Sequence, residues 1–295
     1  MLPLIVVSIL LLAHQTAGSS LERHHHHDGH FDILIFTQHW PYTTCIDWEN
    51  RSRFNTCSRI CRTAWTVHGL WPTQLGKRAP SYCDSKWKFD YDSVKKLRPE
   101  LDYYWPDYEM RGHPNSLWTH EWEKHGTCAA QLPAMDTEEK YFQTGIELAQ
   151  EIPVTEWLKE KNIVPGRHAK YTKSQVYNAV MEKTGFRPHI DCENIDGVQF
   201  IKEIKVCFSK DLSLVHCDNI VSSRFENTTL TNSRGSCSEN TPIVYPARID
   251  PAYLTQPVTH YYTIGLFMLG CGLLIMIGLM VGMIIKLRNV GYETF

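Results

Sequence analysis

The 295 residues carry 30 lysines and arginines against 32 aspartates and glutamates, a formal net charge of −2, with 43% hydrophobic and 12% aromatic residues. That is room for one globular domain of roughly 200 residues plus accessory segments, and it excludes a disordered chain and a constitutively basic nucleic-acid binder. All but one of the histidines lie beyond residue 18, so an acidic medium would turn the near-neutral chain cationic and make attraction for a polyanion depend on pH.

Residues 2–13 (LPLIVVSILLLA) form an apolar run too short for an ordinary membrane span, followed by small and polar residues through Ala17 and Gly18. This pattern predicts a signal peptide over 1–18, although the usual basic start is missing. Residues 19–30, with RHHHHDGH at Arg23–His30, predict a solvated histidine-rich arm. Phe31–Phe36 predicts a buried strand leading into Gln38–Pro41 (QHWP) and opening a lumenal domain over 31–246. Thr43–Thr63 reads as a polar, cysteine-bearing loop with a glycosylation sequon at Asn50. In WTVHGL, strand alternation would face Trp65, Val67 and Gly69 one way and Thr66, His68 and Leu70 the other, with Trp71-Pro72 ending the strand.

Val94–Trp105 is helix-like, with Pro99 as a break or a start. Leu117–His125 predicts a short, half-buried helix stopped by Gly126. On it His120, Glu121, Lys124 and His125 would lie at about 0°, 100°, 40° and 140° around the axis, sharing one side. Thr137–Glu151, Val154–Asn162 and Lys173–Thr184 predict further helices. Gly197–Phe208 alternates as a long strand, and Leu212–Val215 pairs with it through a hairpin around Lys210-Asp211. A second sequon stands at Asn227. Helices and strands are segregated rather than alternating as βαβ units, so the class is α+β.

The segment 247–261 predicts a proline-containing stalk. After it, Ile264–Ile285 is an uncharged run of about 33 Å as a helix, which predicts one C-terminal transmembrane helix within 262–285. Lys286 and Arg288 place the tail, 286–295, in the cytosol by the positive-inside rule. The ten cysteines fit an oxidising lumen, and with Cys271 inside the span an odd number remains there.

Two stretches carry chemistry, WTVHGLWP at Trp65–Pro72 and HEWEKHGTC at His120–Cys128. Together they resemble the two active-site segments of the ribonuclease T2 family, acid, metal-independent RNA endonucleases, with a similarity that runs from about Gln38 to Pro246. The resemblance implies an antiparallel sheet flanked by helices, single-stranded RNA as substrate and no cofactor; a monomer is expected. RNA carries its own nucleophile, the 2′-OH, so an enzyme need only place a base near it, an acid near the departing 5′-oxygen, and cationic donors around the phosphorane. By residue-for-residue resemblance His125 is the base and His68 the acid. His120 binds phosphate, Glu121 and Lys124 support the pentacoordinate state, and a 2′,3′-cyclic phosphate forms. Trp71 is expected to be a base-stacking wall. Thr73 stands where the family often has Asp or Asn, which leaves base preference open. The family's pattern pairs Cys83 with Cys128, Cys192 with Cys237 and Cys207 with Cys217, and joins Cys45 to either Cys57 or Cys61.

A zinc site is the competing chemistry, because HEWEKH is superficially similar to H-E-x-x-H. Its histidines stand at i and i+5, about 140° apart on an α-helix, and Lys124 would repel a cation, so no metal is expected. A membrane receptor or adhesion protein on a catalytically silent nuclease fold is opposed by the presence of all five expected side chains. At the end of the tail, Tyr292 and Phe295 fit the Tyr-x-x-apolar signal read by clathrin adaptors and resemble the tails of lysosomal membrane glycoproteins. With imidazole chemistry favouring acid, this predicts a lysosomal or late-endosomal membrane address. The plasma membrane, or secretion after stalk cleavage, are the alternatives.

Overall fold

The computed structural model describes residues 30–58, 60, 63–109, 115–220, 236–249 and 280. Strand β1 (Ile33–His39) is buried at every position. Helix α1 (Pro41–Arg51) follows at once, with Pro41 in its first turn where a missing N–H disrupts nothing. The loop expected over 43–63 is therefore helical in its first part. Thr43, Thr44, Cys45 and Ile46 turn inward, and their burial against the sheet outweighs the poor helix propensity of threonine. Strand β2 (Thr66–Thr73) continues through Trp71-Pro72, which were expected to end it. Among the described residues it pairs only with β1, and an edge strand tolerates a proline whose nitrogen makes no ladder bond.

Helix α2 (Tyr91–Val94) is capped by the Asp90 side chain, and a 3₁₀ turn at Lys95–Leu97 leads into α3 (Arg98–Tyr104). Pro99 lies in the first turn of α3 and so starts this helix instead of breaking it. Next come α4 (Ser116–Glu121), a π turn at Trp122–Gly126 and α5 (Thr127–Ala129). Gly126 does not stop the helix. A Cβ there would lie 2.2 Å from the Trp122 ring, so glycine is what lets the wide turn close on that indole. Helix α6 (Glu138–Glu151) begins at the Thr137 cap and is followed by α7 (Val154–Glu160) and the short β3 (Lys170–Tyr171). Helix α8 (Lys173–Thr184) has a capping box from Thr172 and Gln175 and ends on Gly185 at φ 75°.

Strand β4 (His189–Ile195) is absent from the elements read in the sequence. It forms a hairpin with β5 (Val198–Phe208) across Asp196-Gly197, both at positive φ, a dipeptide suited to that turn. Strands β6 (Leu214–Val215) and β7 (Ile243–Val244) complete a seven-stranded sheet in the order β2-β1-β5-β7-β3, with β4 and β6 also on β5. A single parallel contact, Phe200 beside Val244, interrupts an otherwise antiparallel pattern. The class is thus α+β.

The helices hold the sheet's edge through an aromatic layer in which Trp105, Trp118, Trp122, Tyr141 and Phe142 are completely or almost completely buried. Trp105 Nε1 donates to the His68 carbonyl at 2.9 Å and Tyr141 Oη to the Leu70 carbonyl at 2.9 Å. Carbonyls of an edge strand that no other strand pairs are satisfied in this way, and β2 is fixed from both sides.

Four disulfides join Cys45–Cys57, Cys83–Cys128, Cys192–Cys237 and Cys207–Cys217. Cys61, the alternative partner for Cys45, lies outside the described residues. So do the signal segment, the histidine-rich arm up to residue 29, Asn227, residues 250–279 and 281–295, and with them Tyr292 and Phe295. Among the described residues no helix is long and apolar enough to cross a membrane.

Peptide mapping without reduction should recover Cys45 joined to Cys57. Cys57→Ser should lower stability by about 2–3 kcal/mol, as expected for opening a loop of this size, measurable as a lower midpoint in urea.

Candidate active site

Two local irregularities bring the chemistry-bearing side chains together. Along β1 and β2, Thr37 faces Gly69 but Gln38 faces Val67, so His68 is the extra residue of a bulge. A bulge re-aims the side chain it carries. His68 consequently meets Trp71, three residues on, edge to face with ring centroids 5.1 Å apart; unbroken alternation would have sent them to opposite faces. The second irregularity is the π turn. Its i to i+5 closure stacks residues five apart, so the rings of His120 and His125 lie 6.1 Å apart instead of diverging by the 140° of an α-helix. Trp71 fills the space between the segments, tilted against His125 at 5.4 Å.

Glu121 is completely buried beneath this group. Trp71 Nε1 donates to its Oε2 at 2.8 Å. Its Oε1 has no hydrogen-bond partner among the described residues and stands 4.0 Å from His68 Nε2. The approach is close because residue 69 is glycine. A Cβ there would lie 2.1 Å from both Glu121 Oε2 and Trp71 Nε1. Loss of water pushes the Glu121 carboxyl up to about 7, against the opposing pull of His68, the Trp71 hydrogen bond and Lys124.

The two histidines that flank Trp71 are displaced in opposite directions. Burial lowers His125 well below the usual imidazole value, and the charges of Lys124, His120 and His68 lower it further. Burial also acts to lower His68, but there the hydrogen bond and charge of Glu203, aided by Glu121, win and raise it. His39 lies under His68 as a stacked ring at 5.1 Å and is held neutral chiefly by burial. A small cleft, with room for about one water, is lined by His68 together with His39, Asp107, Tyr108, Glu109 and Leu117.

All five side chains expected to be catalytic are therefore in one place, along with Trp71. Sequence reasoning did not reach Glu203, Lys205 and His39. Glu203 Oε1 meets His68 Nδ1 at 2.7 Å, Lys205 Nζ lies 3.2 Å from Glu203 and 5.6 Å from the Trp71 ring, and His39 forms the floor. In β5 Glu203 and Lys205 stand on a strand that carries Gln199 and Lys202 as well, so their burial shows only in the folded sheet, where a charge must be paired. Asn50 stands in the last turn of α1. His120 and His125 do not diverge as a regular helix would make them. Wound as a π turn, His120, Glu121 and His125 each bring a ligand-type atom within 4.8 Å of the others. What opposes a cation there is the Lys124 charge, which acts on both Glu121 and His125.

Residues 31–217 match the model described as the ribonuclease T2 family. The chain is 34% identical over 220 residues to ribonuclease Oy of Magallana gigas, covering 73% of this chain and 96% of that one. It is 34% identical over 189 residues to ribonuclease T2 of Sus scrofa, covering 62% and 88%. Among solved structures, human RNase T2 shares 33% identity and a TM-score of 0.57 over 73% of this chain and 98% of that one. Ribonuclease MC1 from bitter gourd seeds, 23% identical with a TM-score of 0.59 over 73% and 100%, is similar in fold.

Trp71→Phe keeps the ring but removes the donor, leaving both Glu121 oxygens without a partner. Stability should fall by about 1–3 kcal/mol, and the Glu121 carboxyl should titrate higher still, as read by NMR. Gly69→Ala should cost about as much or more through the clash, with activity lost even in the fraction that folds.

Proposed function

Since the chain belongs to the ribonuclease T2 family of endoribonucleases, we propose that it cuts single-stranded RNA without a metal, by proton transfer between two histidines, in an acidic lumen. The observation that carries this reading is the opposite displacement of His68 and His125 on either side of Trp71. A general base must start neutral and a general acid protonated. His125 is biased to the neutral form and His68 to the charged one, so His125 takes the 2′-OH proton and His68 delivers a proton to the 5′-oxygen. The reverse assignment would need the minority form of both rings between the two values, and of at least one ring at any other pH.

The 2′-oxygen then attacks phosphorus, the P–O5′ bond breaks and a 2′,3′-cyclic phosphate remains. His120 binds the phosphate, and Lys124 balances the charge of the phosphorane. Below about 7 Glu121 is a neutral acid, so it supports the pentacoordinate state without repelling the phosphate. Trp71 spends its N–H on Glu121 and also meets His68, His125 and Lys205, so only the exposed part of its ring is open to a base.

We place the catalytic domain in the lumen, tethered by the apolar run 264–285, with Asn50 and Asn227 as glycan acceptors and Tyr292 and Phe295 as a signal for clathrin adaptors. A lysosomal or late-endosomal membrane address unites that signal with acid chemistry.

The enzyme should cut RNA in excess EDTA and leave DNA intact, because DNA lacks the 2′-OH. His68→Ala or His125→Ala should each cost on the order of 10²–10⁴-fold in rate; full activity of His125→Ala would refute the scheme. The pH profile should be bell-shaped. Activity is lost as pH falls through the lowered His125 value and as it rises through the raised His68 value, which leaves acidic conditions inside the window. Tyr292→Ala should move the protein to the cell surface without changing its activity in detergent, as followed by surface labelling.

A further inference from the structure

The group that orients His68 comes from neither of the segments that supply the catalytic side chains. It comes from β5, the central strand. Glu203 Oε1 lies 2.7 Å from His68 Nδ1, and Glu203 is 8% exposed. A carboxylate accepts only, so Nδ1 must carry the hydrogen, and Nε2 is left as the nitrogen that faces Glu121 and the cleft. The ring has little other freedom. Trp105 holds the His68 carbonyl, and His39 and Trp71 bound its plane and edge.

Glu203 is itself braced. Lys205, two residues on and so on the same face of β5, lies 3.2 Å from Glu203 Oε2 and pairs on its other side with Asp191 of β4. Asp191 in turn meets His189 at 3.2 Å and the Ser236 N–H at 2.8 Å. Lys202, which faces Asp47 and Glu193 at 2.5 and 2.7 Å, belongs to a separate cluster. The charged and titratable groups that bear on His68 are therefore Glu203, Lys205 and Lys202 from β5, and Glu121, Lys124 and His125 from the catalytic segment. His39 from β1 and Asp107 and Glu109 at the cleft complete the set. With Glu121 neutral over the acidic range, Glu203 is the carboxylate in hydrogen-bond contact that remains charged.

We propose that Glu203, braced by Lys205, is a positioning residue for the acid step: it fixes the tautomer and orientation of His68 and keeps its ring protonated so that Nε2 presents a proton to the departing 5′-oxygen. This rests on the reading of His68 as the acid.

The test uses the full-length protein and two substrates, a dinucleoside phosphate and a uridine 3′-aryl phosphate whose phenolate leaves without help from an acid. Glu203→Gln keeps an acceptor for Nδ1–H but removes the charge. On the dinucleotide, kcat should fall at least tenfold with KM little changed, and the alkaline limb of the profile should move down by about one pH unit or more. On the aryl ester the rate should stay within about threefold of wild type. Glu193→Gln, which removes a sheet ion pair away from His68, should shift neither limb. If Glu203→Gln leaves kcat and the limb unmoved, or slows both substrates alike, the positioning role is wrong. His68→Ala separates the premise from the proposal: it should spare the aryl ester, and equal loss on both substrates would show that His68 is not the acid. A readout on the unmutated protein is independent of how the variants fold. In ¹⁵N spectra above its titration, neutral His68 should be the Nδ1–H tautomer, and an Nε2–H tautomer would overturn the proposal.

Discussion

Glu121 sits where no water reaches it, under the indole of Trp71 and against the backbone of Gly69, so its carboxyl ionises only with difficulty. The surrounding charges follow from that constraint. A neutral carboxyl lets a phosphate approach, leaves the charge of Lys124 uncancelled by Glu121, and shifts the support of a protonated His68 to the strand behind it. If Glu121 were solvated and charged, the same side chains would present a phosphate with a like charge at the centre of the site.

The strand behind His68 is suited to an acidic medium. Asp191 and Glu203 are held below the ordinary carboxylate range: burial resists, but Lys205 and the histidines prevail. Carboxylates of this kind contribute stability that is present above their unfolded values and is lost only as pH falls through the lowered folded ones, so the layer stays ionised where ordinary surface carboxylates begin to protonate. His39 works the other way. Its buried ring is kept neutral in the fold, while the unfolded chain takes up a proton as pH drops below the usual imidazole value. Some stability is therefore lost on acidification, and the position demands a ring that stacks under His68 more than it favours acid resistance.

What could be read in the sequence divides along a physical line. Long, amphipathic and well-capped elements were legible. Helix α8 occupies the expected span, and α6 begins where Thr137 caps it. The motif residues were legible as a set because chemistry restricts residue type more tightly than packing does. Their arrangement was not. Alternation and helical wheels assume regular backbone, and the site is built from the two places where the backbone is irregular, the bulge at His68 and the wide turn at Trp122–Gly126. Glu203 was hidden for a different reason. FIKEIKVC alternates like any strand with one wet face, and only the folded sheet, with β1 and β4 on either side of β5, makes those charges interior. Cys57 could not be told from Cys61 because proximity along the chain says little about where a loop turns.

The wide turn has a consequence for how this gene can change. Over a single helical element it accommodates one more residue than an α-helix would, and the contact between His120 and His125 depends on that extra residue. An in-frame loss of the codon for Trp122 or Glu123 would let the helix close regularly and would spare every catalytic side chain. It would nevertheless bring the two histidines to the ordinary i, i+4 spacing, with the rest of the segment rotated relative to the Cys83–Cys128 anchor. The close approach of the phosphate-binding histidine to the base depends on that one extra residue, so length polymorphism in this segment should be far less tolerated than substitution at its non-catalytic positions.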